Sequence, residues 1–65
     1  MLNDQEKMDI QCRMDQVILD TGEEQWEYPG AKHDLTEAVL WTLDPQGTWP
    51  QEKVAEAVEL VGRLL

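Results

Sequence analysis

A chain of 65 residues with one cysteine, five basic and fourteen acidic side chains, and a net charge of -9 excludes much before any motif is sought. So short a domain hides only roughly 60% of its unfolded surface, and chains of this size lean on a disulfide, a metal or a second subunit. The charge excludes a nucleic-acid binder, whose affinity comes from Lys and Arg displacing counterions from phosphate, and a protein held on an anionic membrane surface.

Cys12 has no partner for an internal disulfide, which fits a reducing compartment. The opening residues lack the basic start and apolar run of a signal peptide, and no run approaches the roughly 20 apolar residues of a membrane helix. The expected location is the cytoplasm. With 42% hydrophobic residues the chain is too apolar for a solvating acidic tail. It reads as a globular domain whose remaining reinforcement is self-association.

The first predicted helix covers residues 4–20. Ile10, Met14, Val17 and Ile18 recur at i, i+4, i+7 and i+8, the stripe of one buried face, and Gly22 stands where a left-handed stop belongs. A second stripe of Met8, Cys12 and Leu19 lies on the opposite side at about 100° per residue. Either a short helix pinned between two others buries most of its surface, or this stripe meets another copy of the chain. Self-association is the favoured reading.

A joint over residues 23–33 follows. Its "EEQWEYPG" sets Trp26 and Tyr28 among carboxylates, and in an extended segment residues i and i+2 point the same way. The two rings could fold back onto the protein, Trp41 being the nearest candidate, or face outward as an aromatic, acidic patch. At least one is expected to pack inward, because aromatic burial is the largest gain open to so small a core.

The second predicted helix covers residues 35–43. Asp34 and Glu37 have capping-box spacing, and an earlier start would put Lys32 on the apolar face. Leu35, Val39, Leu40 and Leu43 form the core stripe, and Asp44–Pro45 stops the helix, since a residue before proline is pushed out of the α region. Trp41 does not fit: on the helical wheel it falls between Asp34 and Glu37. Tryptophan on a polar face suggests a binding hot spot. Trp26, Tyr28, Trp41 and Glu37 are the candidate partner-binding residues.

The third predicted helix covers residues 49–65. Thr48 and Gln51 have capping-box spacing, in competition with Pro50 at the first helical position. Val54, Val58, Val61 and Leu65 make the inner stripe, with Ala57, Leu60 and Leu64 as a shoulder. Leu60 and Leu64 join Met8, Cys12 and Leu19 as candidate self-association residues. Glu52, Glu56 and Glu59 line the outer face. No stretch alternates with period two, so the fold is expected to be all-α, a small self-associating three-helix bundle in one domain.

Nothing in the chain has the spacing of a catalytic or metal site. Cys12 has no His or Asn placed as a relay, His33 has no fellow ligands, and carboxylate catalysis needs a sheltered pocket that shifts pKa values. No enzyme activity, cofactor or metal is expected. The composition and misfits point to a homodimeric adaptor or regulator that binds a protein. The alternative is a nucleic-acid mimic that blocks a basic DNA- or RNA-binding protein, with Glu52, Glu56 and Glu59 as a carboxylate row spaced by roughly 6 Å. A helix-turn-helix reader is set aside, because both possible recognition helices expose acids and the "DPQGTWP" joint is too long.

The opening "MLNDQEKMDIQCRMDQVILDTG" and the acidic helical character resemble a small early-region accessory protein of a lambda-like bacteriophage, encoded as a complete short reading frame. The resemblance is of type and carries no residue role. It implies a regulator acting on a host protein in the bacterial cytoplasm.

Overall fold

The first helix begins where two backbone donors need partners. Asn3 Oδ1 accepts from the Glu6 N–H at 2.7 Å and Glu6 Oε1 accepts from the Asn3 N–H at 3.0 Å, a reciprocal capping box. The computed structural model describes residues 1–65, and α1 runs Asp4–Thr21. Gly22 ends it with φ 93°, a value that suits glycine, and its N–H donates to Ile18 O at 2.7 Å. A single 3-10 turn, Glu23–Trp26, starts the joint.

The second helix, α2, is Ala31–Leu43, one turn longer than residues 35–43. Tyr28, Pro29, Gly30 and Ala31 form a tight turn: the Ala31 N–H donates to Tyr28 O at 3.1 Å, and Gly30 has φ 88° and ψ -1°. Proline then glycine at these positions is the signature of a type II turn. Gly30 O next accepts from His33 N–H at 3.0 Å, which opens the helix directly from the turn. Asp34 is therefore not the N-cap and its box with Glu37 does not form. Lys32 is accommodated on the inward side because Gly62 leaves room: a Cβ there would lie 3.0 Å from Lys32 Cδ. A long aliphatic stem can cover apolar surface while its ammonium reaches water.

The third helix, α3, is Gln51–Leu64, with extended Pro50 as N-cap and no capping side chain. Thr48 is not the cap either. Its N–H and hydroxyl both donate to Asp44 Oδ1, at 2.7 and 2.8 Å, while the Trp49 N–H donates to Asp44 Oδ2 at 3.0 Å. One carboxylate thus organises the whole α2–α3 joint.

All three helices share one core: Ile10 and Met14 from α1, Leu35 and Val39 from α2, Ala57 and Val61 from α3. Ala57 is fully buried, at the centre of the α3 contact rather than on its shoulder. Leu60 packs against the core, whereas Leu65 is exposed. The inner stripe of α3 is therefore rotated towards Ala57. Leu2 closes the assembly from outside the helices: its side chain is buried, and its N–H donates to Glu56 Oε2 at 2.7 Å. Lys53 pairs with Glu6, tying the start of α3 to the start of α1. The result is an all-α three-helix bundle with no strand.

Candidate functional site

Trp41 projects from the last turn of α2 and is 76% exposed. Ala31, Leu35 and Val39 take the core side of α2, so a residue two positions past Val39 lies about 200° away and is turned to water. Asp34, Glu37 and Ala38 surround the ring in a shallow hollow, at the i-7, i-4 and i-3 positions that share a helix face. The helical-wheel placement of Trp41 between Asp34 and Glu37 is thus seen in three dimensions.

The hollow adjoins a groove of about 800 Å³ between α2 and α3. Leu40, Val54, Val58 and Trp49 supply its apolar lining, and Glu37, Asp44 and His33 are its titratable residues. Trp49 is fixed at one end by its N–H bond to Asp44 and by Lys53, whose Nζ lies 4.8 Å from the ring centroid. The Trp49 N–H, aided by Thr48, holds the Asp44 carboxyl below its ordinary value. A carboxylate that accepts several hydrogen bonds stays charged to lower pH.

Tyr28 is half exposed, and its hydroxyl donates to Asp34 Oδ2 at the edge of the Trp41 hollow. That hydrogen bond is the main cause raising the Tyr28 phenol above its ordinary value. Trp26 goes elsewhere. It is partly buried against the core, and its indole N–H donates to Thr21 Oγ1 at 2.8 Å, which in turn donates to Val17 O at 2.8 Å. Its neighbours include Met14, Ile18, Leu19 and Leu64 around a second hollow, rimmed by Asp15, Glu23 and Glu27. No residue of that hollow lines the Trp41 surface. The aromatic joint does not cover Trp41, and of its two rings only Trp26 turns to the core.

The self-association candidates divide in the same way. Met8, Cys12 and Leu19 are exposed on the outer face of α1, Leu19 at 84%. Asp15, three residues past Cys12 and four before Leu19, lies in the same stripe and is exposed too. Leu64 is partly exposed beside Leu19, while Leu60 belongs to the core rim and leaves the set. Of the mimic row, Glu52 and Glu59 are exposed, but Glu56 accepts the Leu2 N–H. The Glu56 side chain is still 44% exposed.

Leu40, Trp49, Val54 and Val58 complete the groove and were not distinguished from core residues by their spacing. The only hint was two tryptophans flanking one Asp-Pro joint. His33 is exposed, and no three His, Cys, Asp or Glu residues are grouped to hold a metal. No helix is long and apolar enough to cross a membrane. The surface offers an aromatic face, an apolar floor and fixed negative charge, which are means of non-covalent recognition. Comparison with protein-family profiles, with characterised proteins and with solved structures found no match to this chain.

Proposed function

We propose that the chain is a small acidic helical interaction module, a regulator or adaptor that binds another protein through the face centred on Trp41. The observation that supports this most is a tryptophan 76% exposed on a regular helix, beside a groove with an apolar floor. Tryptophan dominates binding hot spots because it brings large apolar area at low ordering cost. Glu37 and Tyr28 flank the same face, and Trp26 serves the fold instead. The likeness to phage accessory proteins makes a bacterial lysate the place to look for the partner. In affinity capture, the wild-type chain should retain a protein that a folded Trp41→Ala variant does not. Equal capture by both would refute the reading.

Self-association through α1 is a second reading, favoured by the exposure of Met8, Cys12 and Leu19 on a face without core contacts. Asp15 within that face makes any such dimer weak, because burying an unpaired carboxylate is costly. Asp15→Asn should strengthen association and Leu19→Glu should abolish it, as read by sedimentation over a concentration series. A dimer indifferent to both substitutions would not use this face. The mimic reading is the less favoured one, because one oxygen of Glu56 is already engaged by the Leu2 N–H.

A further inference from the structure

We propose that the groove between α2 and α3 receives a basic amphipathic helix of the partner, with a lysine or arginine of that helix over the Trp41 ring beside Glu37 and Asp34. This rests on the reading that Trp41 faces a partner, and it specifies the partner's chemistry. Three observations support it together. The first is shape: the α2 side of the groove extends from His33 to Asp44, eleven rises of 1.5 Å or about 16 Å, close to three turns of a docked helix. The second is the floor of Leu40, Val54, Val58 and Trp49, which suits residues recurring at i, i+3, i+4 and i+7 on an incoming helix.

The third is charge. Glu37 and Asp44 in the groove and Asp34 in the adjoining hollow are carboxylates, and only His33 at the margin can carry positive charge. Lys53, which lies against the Trp49 ring, is already paired with Glu6. A cation over a tryptophan face gains from the ring quadrupole, and neighbouring carboxylates add to that attraction. The same charge disfavours a second copy of the chain, which would bring another net -9 to the surface. Because the ring is mounted on a regular helix, little backbone freedom is lost when it is covered.

The test is an NMR titration of the ¹⁵N-labelled full chain, whose three tryptophans give three indole N–H signals. The probes are a synthetic Lys/Leu amphipathic helix, its Glu/Leu counterpart and a Lys/Gln peptide without an apolar face. The Lys/Leu helix should shift the Trp41 indole and the Leu40, Val54 and Val58 amides saturably, with affinity falling steeply as salt rises. The other two peptides should leave the groove unperturbed. Trp41→Ala should weaken binding about 30-fold or more, as a hot-spot truncation does. Glu37→Lys, a change at an exposed position, should remove binding without touching the core. Shifts centred on Leu19 and Leu64, or diffuse shifts unaffected by Trp41→Ala, would overturn the proposal. So would equal binding of the Glu/Leu helix, groove shifts on concentrating the chain alone, or no binding by any probe. Those failures leave a docking role for Trp41 standing, and lysate capture with Trp41→Ala decides that role separately.

Discussion

An indole on the surface contributes little to the core that it does not touch, so position decides what each tryptophan does here. Trp41→Ala should leave the melting temperature nearly unchanged, since surface substitutions usually stay within about 0.5 kcal/mol. Leu35→Ala, at a fully buried position three residues from Lys32, is the internal comparison. It should cost about 2–5 kcal/mol, a large part of the roughly 3–10 kcal/mol that a chain of this length holds in reserve. Thermal and urea unfolding of both variants would check the contrast, and a Trp41→Ala protein that melts like Leu35→Ala would place the ring in the core. Trp26 and Trp41 line separate hollows with no residue in common. Their alanine losses should therefore add within about 0.5 kcal/mol in a double-mutant cycle, and a larger coupling would mean that the aromatic joint reaches Trp41 after all.

Among the helices, α1 was the most legible, because its apolar stripe is long and regular and Gly22 stands at its end. The start of α2 was not legible, and the reason is tertiary. Lys32 looks misplaced on an inner face until α3 presents Gly62 opposite its stem, which no local pattern reveals. Two capping boxes failed: Asp34 lies inside a helix that the Tyr28–Ala31 turn has already opened, and Thr48 is engaged by Asp44. The Asn3–Glu6 box, preceded by apolar Leu2, was present in the sequence and not read. Trp41 could be read from its own helix; the opposite wall of its groove depends on how α3 packs beside α2, which the spacing of Val54 and Val58 does not fix. The Lys32–Gly62 contact carries a prediction of its own. Alanine is favoured over glycine in a helix interior by about 1 kcal/mol, but a Cβ at position 62 meets Lys32 Cδ at 3.0 Å. Gly62→Ala should be near neutral in the wild type and stabilising by up to about 1 kcal/mol in a Lys32→Ala background. Equal effects in both backgrounds, measured by urea unfolding, would show that the stem does not limit the site.

For the whole molecule, charge and fold oppose each other across the pH scale. A net charge of -9 at neutrality repels itself, and this repulsion weakens as pH falls towards the isoelectric point near 4.2. Glu6 and Asp44 act in the other direction. Asn3, then Lys53, lowers the Glu6 carboxyl below its ordinary value, and Trp49 with Thr48 lowers that of Asp44. A group depressed in the folded state contributes stability that is complete above its unfolded pKa, roughly 4, and is lost as pH falls through the folded value. Stability should therefore rise gently on acidification from neutrality and then drop below roughly pH 4. Asp44→Asn should lower stability near neutrality and flatten that acid limb, because the joint loses a charged acceptor for the Thr48 and Trp49 donors. Tyr28 has the opposite sign: its phenol is raised by the bond to Asp34. Its contribution is complete below roughly pH 10 and disappears as pH rises through the folded value. Tyr28→Phe should accordingly destabilise the chain near neutrality and remove part of the alkaline loss. Urea midpoints for the wild type and the two variants across the pH range would decide the matter. An alkaline limb that Tyr28→Phe leaves intact would mean that the hydroxyl does not couple the joint to α2, and that the type II turn at Pro29–Gly30 holds the start of α2 without it.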